Sequence, residues 1–188
     1  NNDLEVRGTA SLLNAGFHKG SLMIGKGGAL TVSGTARADS LLLDQGSVSG
    51  GILEASVFIV CSGTVSSRLS GAGTLNKEGS GTVILGGSQT YSGMTTVADG
   101  LLNVAGSLEN SSVTVRSGAV LDVSGSVWKN ITIEDGGSLR TNATGMALRP
   151  GQTLAAGHAS GTWNDIAGSL STTEGAVLDV NGTLDISG

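Results

Sequence analysis

Apolar residues recur along the chain in pairs separated by a single residue, and a glycine follows most pairs within a few positions. Val83 and Leu85 precede Gly87, and the same arrangement returns at Leu102 and Val104. A spacing of two places both side chains on one face of a β-strand, and glycine suits the turn that ends the strand. No segment sustains the period of an α-helix. The pattern therefore predicts short strands joined by tight turns.

The pairs also return at a nearly fixed interval. The signature that begins at Val83 recurs at Leu102 and again at Leu121, which indicates a period of about 19 residues. Leu139 continues the series at nearly the same interval, and Leu178 lies three such intervals beyond Leu121. We interpret these residues as one column of side chains that stack coil upon coil.

A second column supports the same period. Val113 and Val115 are followed by Ile131 and Ile133 at the same interval as that between Leu121 and Leu139. Repeats of this length bury their apolar faces only by stacking on their neighbours. The sequence therefore predicts an all-β fold, namely a right-handed parallel β-helix, which is a three-sided β-solenoid with coils of about 18–20 residues.

We interpret residues 1–188 as a single β-helix segment. The period is lost over residues 142–168, which contain the single proline of the sequence, Pro150. We expect an irregular turn or a protruding loop in that range. The apolar pattern continues to Leu184 and Ile186 with no capping element, so we expect the native protein to extend beyond this segment.

Composition narrows the possible functions. Aromatic residues make up 3% of the chain and glycine supplies 32 of its 188 residues, so small side chains have to build the interior. A net charge of −5 with scattered lysines and arginines argues against a nucleic-acid partner. No apolar run reaches the roughly 18 residues of a membrane-spanning helix. Cys61 is the single cysteine, and we interpret it as a small core residue.

Acidic residues are the first candidates for catalysis, because polysaccharide-cleaving β-helices use carboxylates on their outer face. Asp122 and Asp179 both lie between the two apolar residues of the recurring signature, so the sequence places them in one outward column. Three coils would separate them by about 14 Å, which is too far for the carboxylate pair of a glycoside hydrolase. We interpret both as residues of a solvated face.

Other candidate chemistry is sparse. Glu134 and Asp135 precede a glycine pair and either form a turn or contribute to a cation site. His18 and His158 are the only histidines, too few for a multi-histidine metal centre. The sequence predicts no catalytic residue, no cofactor and no metal site.

Three aromatic residues are candidates for stacking on sugar rings. Tyr91, Trp128 and Trp163 are scattered along the chain, and aromatic platforms can bind carbohydrate. Packing at the corners of coils or beneath a loop is the alternative that we favour for them.

The stretch from Gly71 to Val104 closely resembles the autotransporter-associated β-strand repeat, also called the passenger-associated transport repeat. The matching pattern is G-x-G-x-L-x-K-x-G-x-G-T-x-x-L-x-G-x-x-T-Y-x-G-x-T-T-V-x-x-G-x-L-x-V. We interpret the side chain of Lys77 as a surface charge that protects strand edges. The residues in register with this pattern, to which we assign a structural role, are Leu75, Lys77, Gly79, Gly81, Thr82, Leu85, Gly87, Thr90, Tyr91, Gly93, Thr95, Thr96, Val97 and Gly100.

The resemblance implies a β-helical passenger that a Gram-negative bacterium exports across its outer membrane, to the cell surface or the medium. It also implies a β-barrel translocator elsewhere in the same full-length chain. We expect a non-enzymatic stalk and adhesin that attaches to a host-cell surface or glycan receptor, or to other copies of itself. The alternative is a scaffold or spacer in an exported hydrolase whose catalytic domain lies outside this segment.

Overall fold

The computed structural model describes residues 3–13, 20–141, 146–156, 164–167, 170–172, 177–180 and 184–187. All regular secondary structure in these residues is β-strand. The strands are β1 (Leu4–Val6), β2 (Thr9–Leu13), β3 (Ser21–Ile24), β4 (Ala29–Val65), β5 (Arg68–Ser70), β6 (Thr74–Lys77), β7 (Thr82–Leu85), β8 (Ser88–Gln89), β9 (Thr95–Val97), β10 (Leu101–Val104), β11 (Ser107–Leu108), β12 (Val113–Val115), β13 (Val120–Val123), β14 (Ser126–Val127), β15 (Ile131–Ile133), β16 (Ser138–Thr141), β17 (Met146–Leu148), β18 (Thr153–Ala156), β19 (Asn164–Ala167), β20 (Leu170–Thr172), β21 (Val177–Val180) and β22 (Leu184–Ser187).

Successive short strands occupy three faces in turn, and every pairing between them is parallel. On the first face, β6 pairs with β9, β9 with β12 and β12 with β15. On the second face, β7, β10, β13 and β16 form a ladder, and β8, β11 and β14 form one on the third. The long strand β4 pairs with both β6 and β7 and so contributes to the first two faces. The prediction of an all-β parallel solenoid is confirmed.

The register of the ladders gives the length of each coil. Leu101 pairs with Val120, and Val120 pairs with Ser138, so these two coils agree with the period found in the sequence. The pairing of Ile52 with Arg68 closes a shorter coil. Coils therefore differ in length at their corners, while the strands that build the faces remain in register.

Coils near the C-terminal end are longer, and this changes two sequence-based assignments. The pairing of Ile131 with Leu154 closes a coil several positions longer than the one before it. The column of Leu121 continues to Leu139 as predicted. Leu178, however, pairs with Leu154 on the first face, so the prediction that it shares the column of Leu121 is wrong. A spacing of three average coils does not identify a column when inserted residues lengthen the intervening turns.

Residues 142–168, for which the sequence predicted an irregular or protruding loop, include strands β17, β18 and β19. Strand β18 pairs with β15 and β19 pairs with β16, so both faces continue through this range. Residues 142–145, 157–163 and 168 lie outside the described residues. The prediction of a loop, like that of a single domain over residues 1–188, stays a prediction.

The core is a set of inward columns that run along the solenoid. Alternate residues of each strand point inward, as the burial of Val83 and Leu85 in β7 shows. Leu102 and Leu121 stack on Val83 through the second-face ladder, and all three are fully buried. A fully buried Val or Leu contributes about 1.5–3 kcal/mol, and the contribution depends on the coil above and the coil below.

Cys61 departs from its prediction as a core residue. Its thiol is half-buried and follows Val60, whose side chain is fully buried. Partial burial is the main cause of a raised pKa for the Cys61 thiol, and the nearby carboxylate of Asp44 raises it further. The alternation of the strand turns this side chain away from the interior.

We predict that Leu121→Ala destabilises the chain by about 2–5 kcal/mol, because it removes a fully buried side chain from the middle of a column. Thr132→Ala, on the exposed side of the neighbouring face, is the matched control and should change stability by less than about 0.5 kcal/mol. The free energy of unfolding in urea measures both. Equal effects of the two variants would contradict the inward assignment of Leu121.

Candidate functional site

The residues predicted from the repeat pattern fall into three structural groups. Those with fully buried side chains are Leu75, Lys77, Leu85, Tyr91, Thr95 and Val97. Those with outward or partly exposed side chains are Thr82, Thr90 and Thr96. The glycines Gly79, Gly81, Gly87, Gly93 and Gly100 lie between or at the ends of the strands. The repeat residues thus form one coil of the solenoid and the start of the coil that stacks on it.

Lys77 is fully buried, so its assignment as a surface charge is wrong. It occupies an inward position between Val60 and Val97 in the first-face ladder. Its Nζ atom donates hydrogen bonds to the carbonyl oxygens of Glu78 at 2.9 Å, Gly79 at 2.5 Å and Asp99 at 3.0 Å. Burial lowers the pKa of the Lys77 ammonium, and the nearby Asp99 opposes that shift.

These three hydrogen bonds give a donor to three backbone carbonyl oxygens at the corners of the solenoid. The carbonyls of Glu78 and Gly79 belong to the turn after β6, and that of Asp99 to the equivalent turn one coil later. An ammonium group has three donors and no acceptor, which matches three converging carbonyls. Lys77 therefore ties two successive corners together from inside the solenoid.

Gln89 is a second buried polar group, and the sequence analysis missed it. Its Oε1 accepts a hydrogen bond from the backbone N–H of Leu69 at 2.8 Å, and its Nε2 donates to the carbonyl of Ser67 at 3.2 Å. Leu108 and then Val127 follow Gln89 in the third-face ladder. The coil period therefore carried the signal, because it places Gln89 in an inward column.

Tyr91 leads a chain of buried hydroxyl groups. Its phenolic oxygen lies 2.6 Å from Thr95 Oγ1, which in turn lies 2.7 Å from Ser111 Oγ. The ring packs against Phe58 with centroids 5.6 Å apart. Complete burial raises the pKa of Tyr91, although the hydrogen bonds to Thr95 and Ser111 act in the opposite direction. A fully buried ring cannot stack on a sugar, so Tyr91 packs inside the coil.

Glycine is required at two positions of the repeat because the coils approach closely. Gly100 has φ +65°, and a Cβ atom there would lie 2.6 Å from the carbonyl oxygens of Gly79 and Gly81. A Cβ at Gly93 would overlap the carbonyl oxygen of Gly73. Any other residue at these positions would push neighbouring coils apart.

The outer faces carry columns of small polar side chains. On the first face, Thr96 pairs with Asn76 and Thr114, and Thr114 pairs with Thr132. These four residues form an outward column without a charged side chain, and we call it the threonine column. On the third face, Ser88, Ser107 and Ser126 pair in succession, and the hydroxyl groups of Ser88 and Ser107 are 3.0 Å apart. We call these three residues the serine column.

Trp128 is 37% exposed on the third face. Its Nε1 donates to Ser126 Oγ at 3.1 Å. The guanidinium of Arg149 lies 4.2 Å from the centroid of the indole ring, which is a cation–π contact that covers one side of the ring. Trp163, the third aromatic candidate, lies outside the described residues.

The candidate carboxylates do not converge. Asp122 pairs with Asn103 and Arg140 on the second face, whereas Asp179 pairs with Ala155 on the first face. The prediction that the two share a column is therefore wrong, for the reason given for Leu178. No cluster of three or more His, Cys, Asp or Glu side chains suited to a metal ion occurs among the described residues.

The remaining candidates add no cluster. Glu134 and Asp135 follow β15 and form the turn before β16. His18 and His158 lie outside the described residues. In the part of the chain that the structure describes, there is also no α-helix with the length and apolar character required to cross a bilayer.

We predict that the single tyrosine of the chain stays protonated well above pH 10 while the protein is folded. Burial raises the pKa of Tyr91 above its ordinary value of 10.0, so the unfolded chain ionises first. The stability from the neutral phenol is fully present below pH 10 and is lost above it. Tyrosinate absorbance should rise near pH 10 in urea and at clearly higher pH in buffer.

Tyr91→Phe in a Cys61→Ser background is the control, because the raised pKa of the Cys61 thiol also reduces stability at alkaline pH. This variant should show no tyrosinate signal and a weaker loss of stability above pH 10. Identical absorbance curves in buffer and in urea would contradict the burial of Tyr91.

We predict that Lys77→Met destabilises the chain by about 2 kcal/mol, since three carbonyl groups lose their donor. Lys129→Met, at an exposed position, should have almost no effect. The folded-state pKa of Lys77 lies below its ordinary value of 10.5. The unfolded chain therefore holds more protons as pH approaches 10.5, so the stability gap between wild type and Lys77→Met widens with pH. Urea unfolding at several pH values measures this gap, and a constant gap would argue against a buried ammonium.

Comparisons with known proteins identify the repeat and one partial relative. The family described as passenger-associated-transport-repeat matches residues 75–104, which contain Lys77, Gln89, Tyr91 and Thr95. The chain is also 35% identical over 86 residues to the adhesin BmaC autotransporter of Brucella suis biovar 1 (strain 1330). That alignment covers 45% of this chain and 2% of the relative. No solved structure matches the chain.

The repeat match falls within the solenoid. The repeat residues form the interior of one coil, and the remaining coils extend the same three faces on either side of it. The chain therefore carries a passenger-associated transport repeat and is similar over part of its length to an autotransporter adhesin, which supports a location at the cell surface or in the medium, beyond the outer membrane.

Proposed function

We propose that the chain is a non-enzymatic passenger module that serves as a stiff stalk and as an adhesive surface. Its partners are a host-cell surface or glycan receptor, or further copies of the chain. The observation that carries the proposal is that the solenoid combines a continuous buried core with outward columns of uncharged, mostly hydroxyl, side chains. The relative named as an adhesin supports the same interpretation.

Stiffness follows from how the coils are joined. Strands in the middle of the first and second faces are hydrogen-bonded to the coil below and the coil above, as β12 is to β9 and β15. Lys77 and Gln89 add side-chain bonds between successive coils inside the solenoid. Bending the rod would require the ladders on one side to separate, at the cost of many backbone hydrogen bonds.

The outer columns suit repeated weak contacts. Outward residues of successive coils lie about 4.8 Å apart, so the threonine column presents one amide and three hydroxyl groups at even spacing along the rod. Such an array offers many equivalent donors and acceptors to a glycan or to a second rod. Affinity then comes from the number of simultaneous contacts, which is the logic of multivalent attachment.

The proposal includes a β-barrel translocator in the same full-length protein. The relative that supports this is named an autotransporter. Because the chain spans 2% of the length of that relative, the activity and partners of the whole protein are part of the proposal. The outer column beside Asp122 offers no paired carboxylate, which favours adhesion over hydrolysis at this site.

We predict that fluorescent beads coated with the chain attach to cultured human epithelial cells or clump with one another, whereas albumin-coated beads do neither. Display of many copies raises avidity by about a hundredfold or more over a single contact, so weak binding becomes measurable. Flow cytometry counts the attached beads, and an excess of soluble chain should compete.

Beads coated with the chain after irreversible unfolding are the matched control, because they carry the same charges without the ordered faces. Attachment by both bead types would indicate non-specific adsorption. The absence of both attachment and clumping for the folded chain would contradict the adhesive role and leave that of a spacer.

A further inference from the structure

We propose that the third face carries a binding groove for an acidic glycan, with the carboxylate of a terminal sugar held by Arg68 and the following neutral sugars lying along the serine column. This inference rests on the proposed adhesive function and specifies its ligand. It assigns the binding to one face of the solenoid and to one charged residue.

The groove begins in a hollow of about 500 Å³. Gly50 and Gly51 line it without side chains, and Ser66, Arg68 and Ser88 stand around them. The hollow lies between the backbone of these glycines and the side chains of the next two coils, and its volume is large enough for a sugar ring. The polar character of its walls distinguishes the hollow from an apolar docking surface.

Arg68 supplies a positive charge that the described part of the chain does not neutralise. The side chain is exposed, and no described residue forms a hydrogen bond or an ion pair with its guanidinium. The nearby carboxylate of Glu54 is already held by Arg37 Nε at 2.6 Å. Arg68 therefore keeps its planar donor fork free for a carboxylate from outside.

The serine column extends the hollow along the rod. Ser88, which lines the hollow, is hydrogen-bonded to Ser107, and Ser107 Oγ also lies 2.9 Å from Glu109 Oε1. Ser126 continues the column. The distance from Arg68 to Ser126 is three coils, or about 14 Å. Hydroxyl groups and a carboxylate are suitable partners for the hydroxyl groups of neutral sugars.

A second hollow of about 310 Å³ lies at the other end of the serine column, lined largely by apolar residues such as Met146 and Pro150, with Ser126 and Arg149 as its polar side chains. Arg149 also lies over the exposed ring of Trp128. The two hollows and the serines between them form one track parallel to the solenoid axis. A pyranose ring advances a linear glycan by nearly the spacing of one coil, so successive sugars meet equivalent positions.

Charge selects the orientation of the ligand in this track. Glu109 in the middle of the track disfavours a second carboxylate there, whereas Arg68 favours one at the end. The net charge of −5 does not prevent this, because at physiological ionic strength charges more than about 8 Å apart are largely screened. The ligand that fits best is a glycan whose terminal sugar is acidic and whose next sugars are neutral.

The test is isothermal titration of the full chain with 3′-sialyllactose and with lactose, which lacks the acidic sugar. A charge-assisted bidentate contact should make the sialylated sugar bind about tenfold more tightly. Arg68→Gln should reduce its affinity to that of lactose. Arg68→Lys should give an intermediate value, because it keeps the charge and loses the fork.

Arg116→Gln is the matched control, since it removes the same charge from an exposed position after β12. It should leave both affinities unchanged. Ser107→Ala should weaken both sugars by a few-fold, because it acts on the neutral part of the track. Circular dichroism of each variant verifies that the fold is retained.

Three outcomes would overturn the inference: equal affinity for the two sugars, equal weakening by Arg68→Gln and Arg116→Gln, or no binding of either sugar at millimolar concentration. The bead assay separates this failure from failure of the adhesive role. Beads that attach to cells equally well with and without Arg68→Gln would leave adhesion standing and remove the glycan groove.

Discussion

Parallel hydrogen bonding between successive coils is the constraint on which the rest of the structure depends. A strand such as β13 buries Leu121 and Val123 only because β10 and β16 lie directly below and above it. Every inward residue therefore needs a neighbour of compatible size one coil away, and every corner has to be narrow enough for the next to stack on it. Small aliphatic side chains and close-approach glycines satisfy both conditions, which explains a fold built with so few aromatic residues.

The passenger-associated repeat places two long polar side chains inside the solenoid, as a later coil does with Gln152. Lys77 and Gln89 occupy inward positions that apolar residues fill in adjacent coils, and each makes hydrogen bonds to the backbone of a neighbouring coil. Directional bonds of this kind fix the register, whereas an apolar column tolerates a slip. A buried ammonium with three carbonyl partners is also costly to leave unpaired. The repeat thus supplies register specificity at its own place in the stack.

The sequence predicted the fold because the periodicity of small apolar residues survives in the chain as a recognisable signal. It also predicted the columns wherever the coil length stays close to the average period, as at Leu102, Leu121 and Leu139. It failed for Asp179 because inserted residues at the corners change the coil length without leaving a periodic trace. The assignment of Lys77 as a surface charge fails for another reason, because it follows from the general rule that lysine is almost always exposed. The column of Val60 and Val97 places Lys77 inside the solenoid, and this position is a better guide than residue type.

Separation of roles between interior and exterior explains why adhesive function is hard to infer from such a chain. Substitutions that alter outward residues, such as those of the threonine and serine columns, leave the ladders intact, so the exterior is free to vary while the interior is not. The features that identify the chain are then interior ones, and they describe how coils stack. The unpaired guanidinium of Arg68 beside a glycine-lined hollow is informative for the opposite reason. It contributes no described contact to the fold, so its chemistry is available to a partner.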